Sequence, residues 1–69
     1  MKFYFITYQA QNKEGSCGIW NDVIAESPMS FIKRVIQVEE NGSKTYNNFV
    51  IINTCEITEQ EYEKYKGCF

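Results

Sequence analysis

The chain opens on a run of large apolar side chains. Lys2-Phe3-Tyr4-Phe5-Ile6-Thr7-Tyr8 predicts a strand, in which successive side chains point to opposite faces. Phe3 and Phe5 then line one face, and Tyr4, Ile6 and Tyr8 the other. A small domain with one core leaves one side of its sheet wet. A strand that is apolar on both sides needs two covers, or one cover and a partner. Gln9 to Ser16 is polar, contains Gly15 and predicts a hairpin loop. A second strand is predicted from Cys17 to Ala25. On it Ile19, Val23 and Ala25 share a face with Asn21, and Trp20 and Ile24 share the other with Asp22.

Ser27-Pro28 predicts a helix start, because serine accepts from a free amide there and proline at the first helical position loses no bond. Phe31, Ile32, Val35 and Ile36 recur at helical spacing, leaving Lys33, Arg34 and Gln37 outside, and Asn41-Gly42 supplies the stop. Residues 34–46 also admit a rival reading. Arg34 to Glu40 is rich in β-branched residues, and Asn41-Gly42 is a strong two-residue hairpin signal. Val35 to Val38 would then turn back into Lys44-Thr45-Tyr46. The helix is preferred, because the cap and the Phe31/Val35 and Ile32/Ile36 pairs agree with each other.

Phe49 to Ile57 predicts a third strand, with Phe49, Ile51, Asn53, Cys55 and Ile57 on one face and Val50, Ile52, Thr54 and Glu56 on the other. Thr58 and Glu61 form a capping box that opens a short helix with the stripe Tyr62, Tyr65 and Phe69. The order ββαβα predicts an α+β fold in a single domain over residues 1–69. A hairpin followed by a crossover helix places the third strand beside the first, giving a three-stranded antiparallel sheet of order 2-1-3 with a helix packed on one face. The Tyr4–Tyr8 side is expected to fall to the terminal helix or to a partner.

Sixty-nine residues with 43% apolar and 16% aromatic content suffice for one small core that gains from a partner. A net charge of −2 lacks the basic balance of a nucleic-acid binder, so nucleic acid is not the expected partner. Cys17, Cys55 and Cys68 make an odd count with no basic-then-apolar leader at Met1, which suits reduced thiols and a cytoplasmic location. The longest apolar run, Phe49 to Ile52, is too short to span a bilayer.

The chain has no histidine, which removes the commonest general base and the commonest metal ligand together. The cysteine spacing is not that of a zinc site, and Cys17 and Cys55 are expected to be small core residues. Asp22, Glu26, Glu39, Glu40 and the Glu56–Glu63 group suit solvated faces and helix starts better than a paired catalytic site. Gly15 to Gly18 lacks the lysine and following helix of a phosphate loop and reads as a turn. Neither an enzyme nor a metal or cofactor is expected. The candidate binding residues are Tyr4, Tyr8, Trp20, Asp22 and Tyr46. Tyrosine and tryptophan are enriched at protein interfaces, and their alternative uses are to complete the core or to stack nucleotide or single-stranded nucleic-acid bases.

Phe3-Tyr4-Phe5-Ile6-Thr7-Tyr8, Ser27-Pro28-Met29-Ser30-Phe31-Ile32-Lys33, and Val50-Ile51-Ile52-Asn53 leading to Glu56-Ile57-Thr58-Glu59-Gln60-Glu61-Tyr62 together resemble a group of short, uncharacterised proteins of bacteria and their phages or mobile elements. The resemblance spans most of the chain, carries no catalytic residue, and favours the helix at Val35. It implies a host-interaction or anti-defence role, such as anti-CRISPR-like inhibition, by analogy with other small phage proteins. The expected function is that of a non-enzymatic protein that occupies a partner protein, such as a host defence protein, with a homodimer as one form it would take.

Overall fold

β1 (Phe3–Asn12) is the middle strand of the structure, a computed structural model that describes residues 1–42 and 44–69. It pairs antiparallel with β2 (Cys17–Ile24) on one side and β3 (Tyr46–Ile57) on the other, giving the order β2-β1-β3. The ββαβα arrangement and the 2-1-3 sheet expected from the sequence are both present. β1 runs further than its apolar stretch, because Gln9 and Gln11 pair with both neighbours and turn polar side chains to a wet face. The hairpin turn shrinks to residues 13–16. There the Asn12 side chain accepts from the amides of Glu14 and Ser16 at 2.9 and 3.0 Å, and Gly15 takes φ +88°.

α1 (Pro28–Asn41) begins where Ser27 Oγ accepts from the Ser30 amide at 3.2 Å, with proline in the first turn. Val35 to Val38 lie inside this helix, so the rival hairpin over residues 34–46 does not form. Ser43, within that stretch, lies outside the described residues. β2 and β3 both oppose β1 and are therefore parallel to each other, with α1 as the crossover between them.

The core sits between α1 and the Tyr4 face of β1. Ile6 has no exposed surface, and it clusters with Ile24 and Phe31, with Tyr4, Tyr8, Val35 and Ile51 packed around them. The expectation for this side is thus corrected: α1 covers the Tyr4–Tyr8 face. The strand pattern, apolar on both sides, did not distinguish which face the crossover helix would take.

The short helix α2 (Glu59–Tyr65) serves the opposite face. Tyr62 packs 4.8 Å from Phe3 between ring centroids, and Phe69 beyond the helix sits edge-on to Phe5 at 5.9 Å. Tyr65, expected on the same stripe, stays exposed.

β3 also departs from simple alternation. Its pairing skips Ile52 between Asn53, opposite Thr7, and Ile51, opposite Tyr8. A bulged residue resets the phase of a strand. Ile51 therefore packs on the α1 side, while Asn53, Cys55 and Ile57 pair with Thr7, Phe5 and Phe3 on the other side. The single five-residue face expected for β3 is split in two. A second irregularity lies between Val50 and Asn47, where Asn48 adopts φ +53° and donates from Nδ2 to Gln11 Oε1 at 2.9 Å.

Two outcomes follow from this packing. Ile6→Ala is expected to cost about 2–5 kcal/mol in urea unfolding, because three elements close on that side chain and none collapses easily into the void. Glu61 is held below the ordinary carboxylate value, first by the Thr58 amide and then by the Thr58 hydroxyl, at 3.0 and 3.1 Å. A depressed carboxyl stabilises the fold above its unfolded value of about 4.3 and loses that contribution as pH falls through the lower folded value. Acid titration followed by NMR should therefore release the Tyr62–Phe3 contact only as the pH falls below the ordinary carboxylate value, and Thr58→Ala should shift that release to higher pH.

Candidate functional site

Tyr8 and Trp20 face each other directly across the β1–β2 ladder, so their rings meet nearly parallel, 5.7 Å apart between centroids and 24° between planes. Such cross-strand aromatic pairs are among the stronger units of sheet stabilisation. Tyr46 enters from the start of β3 and meets Trp20 at 5.0 Å with the planes at 85°. Phe31 of α1 meets Tyr8 edge-on at 5.6 Å. Gly18 makes room for the indole. A Cβ there would lie 2.6 Å from Trp20 Cη2, so the ring covers the one β2 position on this face without a side chain.

Val35 and Glu39 from α1 and Phe49 from β3 join Tyr8, Trp20 and Tyr46 to line a cavity of about 220 Å3. Phe31, Val35 and Glu39 are spaced four apart, which puts them on one helix stripe over this part of the sheet. Glu39 Oε1 accepts from the Thr45 amide at 3.2 Å, tying the helix end to the approach of β3. Asp22 shares the Tyr8 face, opposite Ile6, and its Oδ1 accepts from the Val23 amide at 2.8 Å. Burial first, and the Asp22 charge second, push the Tyr8 hydroxyl above the ordinary phenol value.

Of the five candidate binding residues, the structure brings Tyr8, Trp20 and Tyr46 together, with Asp22 acting on Tyr8 through its charge. Tyr4 lies apart and packs against the Ile6 cluster. Val35, Glu39 and Phe49 were not among the candidates. The signal for Val35 and Glu39 was their four-residue spacing from Phe31 on α1. Phe49 was hidden by the irregular phase of β3.

The other sheet face is open over its Gln9 half. Ile19 and Val50 both pair with Gln9, from opposite sides, and they are 62% and 50% exposed. Ile52, the extra residue of the bulge, is 50% exposed. Next to that row, Thr7 donates to Asn21 Oδ1 at 2.8 Å. The three strands carry two charged residues, Asp22 and Glu56, and these oppose Ile6 and Tyr4 on the α1 side. No strand residue on the open face is charged.

Cys17 and Cys55 lie on edge strands at Gln11 and Phe5 of this same face, and both are exposed, as is Cys68. The core role expected for Cys17 and Cys55 is corrected: neither edge strand is covered where they sit. Among the described residues no helix is long and apolar enough to cross a membrane. No family model, curated protein or solved structure shows significant similarity to the chain.

Gly18→Ala is expected to displace the indole, move Trp20 emission to the red as the ring enters water, and cost about 1–3 kcal/mol from overpacking. In an alkaline titration followed by NMR, Tyr8 should ionise at a higher pH than the ordinary tyrosine value. A phenol raised in the fold withholds stability as pH climbs through its titration. Asp22→Asn should lower the Tyr8 midpoint without abolishing the shift, since burial is the larger cause.

Proposed function

We propose that this protein is a non-catalytic binding module that acts by occupying a protein partner through the open face of its sheet. The observation that supports this most is the absence of charged strand residues from that face, together with the exposed Ile19 and Val50 flanking Gln9. The cores of protein interfaces are depleted of charged residues, whereas a nucleic-acid surface needs lysines and arginines at the phosphates. Gln9, Asn21 and Asn53 add uncharged hydrogen-bonding groups around the aliphatic row. The nucleotide or single-strand reading draws less support, because Tyr8 and Trp20 stack on each other and leave no slot between them for a flat base. Three exposed, unpaired cysteines fit a reducing, cytoplasmic setting. In the phage or mobile-element context that the sequence resemblance implies, the partner is a host defence protein.

The test compares the wild-type chain with an Ile19→Glu/Val50→Glu variant on the same host lysate, with sedimentation of the purified wild type at low and high concentration. Both positions are exposed, so the double variant should keep its fold. The expected outcome is a monomer that retains one saturable protein, which the variant binds about thirtyfold more weakly, a loss of about 2 kcal/mol. Equal retention by both chains, retention of nothing by wild type, or self-association that the variant abolishes would each overturn the reading.

A further inference from the structure

The aromatic cavity lies across the sheet from the open face, and the protein-binding reading makes no use of it. We infer that this cavity binds a methylated ammonium group. Aromatic faces carry negative quadrupole density and attract cations whose hydration shell is weak. Tyr8, Trp20, Tyr46 and Phe49 line the cavity, with Val35 as the aliphatic wall.

Ring orientation selects the shape of the occupant. Tyr8 and Trp20 are nearly parallel but in contact with each other, which leaves no slot between them for a flat base. Trp20 and Tyr46 meet edge to face at 5.0 Å and 85°, so what they present to the cavity is a corner of two planes, which suits a rounded, methyl-coated head better than a flat base.

Charge selects its sign. Among the described residues, the one ionisable lining group other than the tyrosines is Glu39, and Asp22 lies close enough to act on Tyr8. The adjoining hollow is lined by Glu39, Glu40, Lys44, Tyr46 and Asn47, so carboxylates outnumber the ammonium there as well. Size sets how much of the ligand is held. A volume of about 220 Å3 is below the roughly 300–1,000 Å3 of pockets that enclose whole ligands, so the cavity takes a head group with the rest outside.

Trp20 is the only tryptophan and forms part of the wall, which makes its emission a direct reporter. The full chain is titrated with choline and with its neutral carbon isostere, 3,3-dimethyl-1-butanol, and amide shifts are followed in parallel. Choline is expected to quench Trp20 saturably and to shift Tyr46, Phe49 and Glu39. The isostere is expected to bind about tenfold more weakly, because it has the same shape without the charge. Glu39→Gln keeps an oxygen for the Thr45 amide and should weaken choline at least threefold while leaving the isostere unchanged. Tyr46→Phe should retain binding, and Tyr46→Leu should lose it.

N-acetyl-trimethyllysine amide separates the sources of the group. Tighter binding than choline assigns the head to a protein side chain, and weaker binding assigns it to a free small molecule. Equal affinity for choline and the isostere, the absence of saturation, or shifts confined to the Ile19–Val50 face would overturn the inference. The cavity and the open face share no residue, so each proposal can fail while the other stands.

Discussion

Ile6 loses all contact with solvent because β2, α1 and β3 all meet over one strand. β1 is hydrogen-bonded along both edges, and its two faces receive different helices. On the Tyr4 side, the long crossover helix brings Phe31 and Val35 down over Ile6 and Ile24. On the Phe3 side, the short terminal helix and the chain end reach only Phe3, Phe5 and their neighbours. A seven-residue helix cannot cover a ten-residue strand. The far half of that face is left bare for geometric reasons, whatever its use.

The same division separates the two candidate surfaces. The face under α1 holds Tyr8, Trp20, Phe31 and Tyr46, which spend much of their surface on each other and keep a small cavity where the helix meets the sheet. The bare half of the opposite face holds aliphatic and amide side chains without charge. Packing explains the difference, since large rings from three elements fill the wedge beneath a helix. An uncovered strand can carry mixed polar and apolar residues without penalty to the core.

Much of this was legible in the sequence. The Ser27-Pro28 cap, the Phe31/Val35 spacing and the Thr58–Glu61 box each named an element, and the crossover argument gave the strand order. The grouping of Tyr8, Trp20 and Tyr46 was legible in part, since they stood with Tyr4 as the tyrosines and tryptophan suited to an interface, and Tyr4 went instead to the Ile6 cluster. The choice of face was not, because Phe3/Phe5 and Tyr4/Ile6/Tyr8 are equally good core faces and alternation is blind between them. The Ile52 bulge was invisible for a related reason. Val50-Ile51-Ile52 is apolar at every position, so a shift of one residue leaves the pattern unchanged. Cys17 and Cys55 were misplaced by their residue type, which favours burial, at edge-strand positions that stay exposed.

The most direct test of this two-faced sheet is methyl relaxation in the presence of a soluble, neutral nitroxide, at low protein concentration. Strong enhancement is predicted for Ile19, Val50 and Ile52, with little for Ile6, Ile24 and Ile51. Protection of Ile19 and Val50 to the level of Ile6 in the isolated monomer would contradict it, because the chain would then be covering its own second face.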